Sequence, residues 1–173
     1  VRDWIAGVFI LIENQYGVGD VIEVNGRPAT VEVLTVRSTT LRDFHGYLHF
    51  VPNGEMRVVT NRTRDWNRLA VDIHVRAGQD LDRALDRLRE VAGAMGADPV
   101  WENRLLEPVR VWGIERLGAD AVIRLVVRTR PGGDAADAAR ELRRRAHQAL
   151  AAAGIRYPAG PTAPGAEPLD VDL

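Results

Sequence analysis

The chain has no cysteine, which excludes disulfide frameworks, thiolate metal sites and cysteine nucleophiles, and fits a reducing compartment. It has one serine, Ser38, in no context resembling the strained elbow of a nucleophilic hydrolase. A charge excess of one sign is also missing: 23 basic residues, all arginine, face 24 acids for a net charge of -1. No bulk field therefore draws in nucleic acid, and a basic site has to be a local patch. Aromatic residues are only 6% of the chain, leaving few platforms for base stacking. No long apolar run is present either. The longest, Trp4 to Ile12, covers as a helix about 13 Å of the roughly 30 Å hydrocarbon core of a bilayer. As given, the chain does not span a membrane, and nothing in it reads as a secretory signal.

What is there suffices for a folded core, since 46% of 173 residues are hydrophobic, enough for one ordinary domain or two small ones. Trp4 to Ile12 leaves no polar face at any helical rotation, and a helix apolar all round is buried or lies in lipid. Two readings follow. The segment is a buried N-terminal helix or core strand, or it is part of a longer membrane-associated helix.

From Gly17 the pattern changes to short alternating segments separated by turn residues, the signature of strands. Asp20 to Asn25 reads as a strand, Gly26-Arg27-Pro28 as a turn and Ala29 to Val36 as a second strand. Ser38 to Phe44 and Tyr47 to Val51 read as a hairpin around His45-Gly46, the glycine supplying a positive φ. Pro52-Asn53-Gly54 ends that strand as a turn. The expectation is a small all-β unit of four or five strands.

A second unit begins near Asp65. Arg68 to Arg76 alternates, with Leu69, Val71, Ile73 and Val75 on one side, as in a half-buried strand. Asp80 caps a helix whose inward stripe is Leu81, Leu85, Leu88, Ala92 and Met95. Pro108 to Arg116 and Ala121 to Arg130 read as a hairpin joined by Leu117-Gly118-Ala119-Asp120. Asp134 caps a second helix with Ala138, Leu142, Ala146, Ala149 and Leu150 inward, closed by Gly154-Ile155. Strand, helix, strand, strand, helix is most of a split βαβ, a ferredoxin-like layer. Pro158 to Pro168 reads as a Pro/Gly-rich linker, and Leu169 to Leu173 as a short terminal strand.

Taken in order, Asp3 and Gly7 on an apolar helix, Tyr16-Gly17-Val18-Gly19-Asp20-Val21-Ile22, Thr30-Val31-Glu32, Val36 to Arg42, Val51-Pro52-Asn53-Gly54-Glu55 and Asn61-Arg62-Thr63-Arg64 resemble the small-conductance mechanosensitive ion channel family. The resemblance covers residues 1–65 by motif and 66–157 by element order. It implies a mixed α and β chain: 1–16 the end of a pore-lining helix, 17–64 an Sm-like small β-barrel domain, 65–157 a ferredoxin-like α/β domain, and 158–173 a linker and strand. It also implies a homoheptamer around a cytoplasmic vestibule at the cell membrane, with membrane lipid, permeating ions and small solutes as partners and no cofactor. Gly7 would permit close helix approach or a kink, and Gly54, beside Asn53, would meet the helix carrying Asp3, making Asp3, Gly7, Asn53 and Gly54 the expected gating and coupling residues. The family usually has glycine where Ala29 stands, so the bend there is expected to be less sharp or made by Gly26. The proline-rich insert sets the C-terminal strand apart from the family's pattern.

Two other readings compete. Arg37, Arg42, Arg57, Arg62, Arg64 and Arg68 cluster in sequence, and Sm-like and ferredoxin-like folds can bind RNA, which makes a nucleic-acid module the alternative. Paired with Asp43, Glu55 and Asp65, the same arginines are a solvated face. Catalysis has little support. His45, His49 and Asp43 lie near one hairpin, but the i, i+4 geometry of a histidine metal site belongs to helices and the backbone here reads as strands; His74 and His147 read as isolated surface or half-buried residues, and Gly17-Val18-Gly19 lacks the third glycine of a phosphate loop.

Overall fold

The computed structural model describes residues 1–158. The expected linker from 159 onward and the strand Leu169 to Leu173 lie outside the described residues. The chain divides into two compact units, one of Val1–Leu69 with Arg104–Leu106 and Arg128–Asp137, the other of Ala70–Asn103 and Glu107–Val127 with the segment from Ala138 onward.

In the first unit, helix α1 (Arg2–Glu13) carries Asp3 in its first turn, where a negative charge suits the helix dipole, and ends at Asn14, whose left-handed backbone (φ 49°) returns its N–H to the Ile10 carbonyl. Asparagine tolerates that conformation better than most side chains. Strands β1 (Val21–Val24), β2 (Arg27–Leu34), β3 (Ser38–Asp43), β4 (Leu48–Pro52) and β5 (Val59–Asn61) form one sheet in the order β4-β3-β2-β1-β5. Among the described residues no pairing joins β4 to β5, so the expected small barrel is an open sheet. A bulge between Val31 and Val33 interrupts the β2–β3 register, the usual device for bending a strand. The core is Ile10, Tyr16, Ile22, Val24, Ala29, Val31 and Leu41, with Leu34, Val51, Met56 and Val59 packed against it.

Several boundaries differ from the sequence reading, each for a local reason. Asn25 and Gly26 both have positive φ and make the tight β1–β2 turn, so Arg27 and Pro28 belong to β2 rather than to a turn. Ala29 has no positive φ and sits in regular pairing between Ile22 and Asp43. Pro52-Asn53-Gly54 is not a simple turn: Asn53–Glu55 forms one turn of 3-10 helix. β5 is a short extra strand held by pairing to β1, which alternation cannot register in three residues.

In the second unit, β6 (Asn67–Arg76), β8 (Asp120–Thr129) and β7 (Arg110–Leu117) form a three-stranded sheet in that order, as a split βαβ requires. Val71, Ile73 and Val75 are buried, but Leu69 is exposed, contrary to the alternation. Helix α2 (Leu81–Gly96) is capped by Asp80 and buries Ala84, Leu88, Val91, Ala92 and Met95; the stripe is rotated so that Leu81 and Leu85 are only half-buried. A single turn, α3 (Pro99–Glu102), capped by Asp98 with proline in its first turn, was not expected. Helix α4 (Asp134–Ala152) buries Ala138, Leu142, Ala146 and Leu150, with Ala149 half-buried, and the Ile155 N–H returns to the Leu150 carbonyl over Gly154, a glycine C-cap.

One acid-sensitive tie holds α4. Hydrogen bonds from Arg144 and then Arg145 pull the Glu141 carboxyl down from its usual 4.5 to about 2, and Arg145 also bonds Asp98, lowering that carboxyl as well. Depressed folded-state values stabilise the fold above the ordinary carboxylate range, and the effect is lost as pH falls toward about 2. Glu141→Gln is expected to lower the melting temperature at neutral pH and to flatten its decline between about pH 5 and 2. Melting curves that shift in parallel at every pH would remove this tie as a source of acid sensitivity.

Candidate functional site

Asp3, Gly7 and Ile10 recur at the i, i+4, i+7 spacing that places side chains on one helix face, and this is the side of α1 that lies on the sheet. Gly7 and Ile10 are buried. Between Trp4 and Ile12 the large apolar side chains of the other faces are uncovered: Trp4, Ile5, Val8, Phe9, Leu11 and Ile12 are all exposed, Ile12 at 75% and Trp4 at 59%.

The junction is made by close backbone approach. A β-carbon built on Gly7 falls well inside contact distance of the Val36 carbonyl oxygen and 2.5 Å from Asn53 Nδ2. Gly7 thus gives α1 the room for close approach to the backbone at Val36. The Gly54 N–H donates to Asp3 Oδ1 at 3.1 Å, and a β-carbon on Gly54 would sit closer than 3.0 Å to that same oxygen. Gly54 is not in the left-handed region; space, rather than backbone angle, demands glycine there. All four residues singled out from the sequence, Asp3, Gly7, Asn53 and Gly54, therefore meet at one place.

Beneath them runs a buried polar chain that sequence reasoning missed. Asn53, 1% exposed, accepts from Thr39 Oγ1 at 2.8 Å, donates from Nδ2 to the Thr35 carbonyl at 2.9 Å, and donates its backbone N–H to the Arg37 carbonyl at 2.9 Å. Thr39, fully buried, shares a 3.1 Å hydrogen bond with the Tyr16 hydroxyl, which also reaches Met56 Sδ at 2.8 Å. Burial pushes the Tyr16 hydroxyl above its usual pKa, partly countered by Thr39, so it stays a neutral donor. Tyr16 and Thr39 both fall in the ordered motifs of the sequence, but nothing there marks them as a buried pair: the tyrosine follows the helix and Ser38-Thr39-Thr40 is a run of hydroxyls ordinary for a strand.

The other candidates fall elsewhere. His49 Nε2 bonds Asp43 Oδ2 at 2.9 Å, and Asp43 Oδ1 accepts the His45 and Tyr47 amides, so Asp43 organises its hairpin and is not an arginine partner as expected. The His49 contact, outweighing some burial, lowers the Asp43 pKa. No group of three or more metal-binding side chains converges among the described residues. Arg42 bonds Glu32, Arg62 bonds Glu23 at 2.6 Å, Arg64 donates to the Asn14 and Gln15 carbonyls, and Arg68 lies over the Trp66 ring. His74 is not isolated but bonds Asp120, and His147 stacks on Tyr157.

The family profile described as "Mechanosensitive ion channel, beta-domain" matches residues 1–64, the segment that contains the whole junction. A small-conductance mechanosensitive channel of Caldanaerobacter subterraneus subsp. tengcongensis is 36% identical over 134 residues, covering 76% of this chain and 46% of that protein. The chain belongs to the small-conductance mechanosensitive channel family. Another relative, the small-conductance mechanosensitive channel MscMJ of Methanocaldococcus jannaschii, is 30% identical over 94 residues, 53% of this chain and 27% of that one. The closed-state crystal structure of Helicobacter pylori MscS shares the fold, with a TM-score of 0.76 at 22% identity over 99% of this chain and 64% of that one. The chain spans less than half the length of these curated relatives. No helix among its described residues is long and apolar enough to cross a membrane.

Proposed function

We propose that the chain is the vestibule portion of a mechanosensitive channel subunit, releasing ions and small solutes when membrane tension opens a pore lined by helices continuous with α1. The carrying observation is α1 itself: six large apolar side chains face outward while the opposite face is pinned through Asp3 and Gly7. Leaving them half-covered by water forgoes roughly 1 kcal/mol apiece, so this face needs lipid or neighbouring copies of the helix against it. On this reading residues 1–16 end the pore-lining helix, 17–64 and 65–157 are the two cytoplasmic domains, and subunits assemble as a homoheptamer in the cell membrane. No enzymatic role is proposed; the relatives are named as mechanosensitive channels. A nucleic-acid surface is disfavoured because Arg42, Arg62 and Arg64 are already engaged within the β unit and Arg68 lies over the Trp66 ring.

The test is survival of abrupt osmotic dilution by a bacterium lacking its own mechanosensitive channels. The full-length protein is expected to restore survival; failure to do so, with the protein present in the membrane, contradicts the reading. Gly54→Val is expected to lower survival or change desensitisation, because its side chain would collide with Asp3. Rescue and gating indistinguishable from the parent would remove Gly54 from the mechanism.

A further inference from the structure

α1 is held at a second place, eleven residues after Asp3, by groups that the junction with Asn53 and Gly54 does not involve. Arg64 donates from one guanidinium nitrogen to the backbone carbonyls of Asn14 and Gln15, which end the helix. Asn61 Nδ2 donates to the Gln15 carbonyl at 3.2 Å and to Asp20 Oδ2 at 3.0 Å. Asp20 gathers the rest: its carboxylate also accepts the Gly17 N–H at 2.9 Å and the Thr63 hydroxyl at 3.2 Å, while Thr63 Oγ1 accepts the Val21 N–H at 3.0 Å. The partners on one side run from Asn14, after the end of α1, to Val21, the first residue of β1, and those on the other lie in Asn61 to Arg64, the segment that leaves β5 for β6. Charge suits the arrangement. The guanidinium faces the carbonyl end of α1, where a cation is favoured. The carboxylate accepts charge-assisted hydrogen bonds, which are stronger than neutral ones. Although burial works against its charge, these bonds and Arg64 keep Asp20 ionised well into the acid range.

We propose that Asp20, Asn61, Thr63 and Arg64 form a second coupling point, which clamps the exit of α1 to the strand exit leading toward the second unit. The inference rests on the channel reading. The first junction fixes the start of α1 against the 3-10 turn; the clamp fixes its end, so the helix cannot change tilt without breaking one of them. Three of these residues sit in Asn61-Arg62-Thr63-Arg64, the last of the ordered motifs noted in the sequence. Directly after it the chain is constrained again, with Asp65 at φ 62° and the Trp66 ring beneath the Arg128 guanidinium at 4.2 Å.

The experiment is excised-patch recording of the full-length protein carrying Asp20→Asn, Arg64→Gln, both, or Arg64→Lys. Either single variant is expected to change the open-to-closed ratio at fixed tension by about five-fold or more, the lower end of ordinary coupling strengths. The double variant is expected to change it by no more than the larger single effect, and Arg64→Lys, which keeps a cationic donor, to recover most of the loss. Hydrogen exchange at the Gly17 and Val21 amides, read on the same full-length variants, is expected to speed up in Asp20→Asn and reports the clamp even in a variant that passes no current. Wild-type gating in both single variants, or additive effects in the double, would overturn the clamp while leaving the channel reading intact. A silent wild-type protein would overturn both.

Discussion

Gly7→Ala is expected to lift α1 off the β unit. Alanine is the better helix former by about 1 kcal/mol, so helix propensity alone would have the substitution stabilise the structure. The methyl, however, falls on the Val36 carbonyl, which is backbone and cannot rotate away, and on Asn53 Nδ2, which is already committed to Thr35. Overpacking of this kind costs roughly 1–3 kcal/mol, and retreat of the helix also strains the hydrogen bond from Gly54 to the Asp3 carboxylate, of a class that contributes about 1.5–3 kcal/mol. The opposite signs make the experiment decisive. Hydrogen exchange at the Gly54 amide in the full-length protein should accelerate by about ten-fold or more, one order of magnitude for each 1.4 kcal/mol lost. Unchanged or slower exchange would show that α1 is not docked as described.

The second large effect belongs to Asn53. Asn53→Leu deletes both side-chain hydrogen bonds and leaves the Thr39 hydroxyl and the Thr35 carbonyl facing an apolar group. Each lost hydrogen bond costs about 0.5–1.5 kcal/mol, Thr39 keeping its Tyr16 partner, and leucine forces a different shape into a site with almost no exposed surface, at roughly 1–3 kcal/mol more. A combined loss of roughly 2–5 kcal/mol lowers the melting temperature by about 5–15 °C in a chain of this size. Thr39→Val, which removes the middle link between Tyr16 and Asn53, should produce a smaller loss, and the two changes together should cost less than their sum because they share one hydrogen bond. Strict additivity would mean that these groups do not act as one network.

Much of the architecture is legible in the residues. Alternation places β2, β3 and the buried part of β6, and helical spacing together with Asp80 places α2. What escapes has a physical pattern. β5 is three residues long and owes its extended state to β1, a non-local partner. The rotation of the α2 stripe from Leu85 toward Ala84 and Val91 reflects where the sheet lies, which periodicity within one helix does not encode. The 3-10 turn at Asn53 replaces a simple Asn-Gly turn because Asn53 is pulled inward by Thr39 and Thr35, separated from it by 14 and 18 positions. Arginine partners are the least legible feature. Charge proximity in sequence suggests Asp43, Glu55 and Asp65, whereas the fold gives Arg42 to Glu32 across a β2–β3 pair and Arg64 to backbone carbonyls nearly fifty positions away.

At the candidate site the sequence is informative for a different reason. Asp3, Gly7, Asn53 and Gly54 stand out only through the ordered motifs of the family; composition and spacing alone would leave Gly7 as a weak point in an apolar helix. In the structure each has a steric or hydrogen-bonding reason for its identity. The groups that support them, Tyr16 and Thr39 below and Asp20, Asn61, Thr63 and Arg64 at the far end of α1, lie within the same ordered motifs, but nothing in the sequence assigns them a role. Only their convergence in space gives them meaning.

If α1 ends a pore-lining helix as proposed, its outward face meets lipid or other copies of the same helix and membrane tension acts through it. The direct measurement is current through patches of liposomes containing the purified full-length protein under graded suction. Discrete openings whose probability rises steeply with suction, and which Gly7→Ala shifts along the suction axis, are the expected result. Patches that stay silent at every suction short of rupture, with the protein demonstrably inserted and oligomeric, would contradict it.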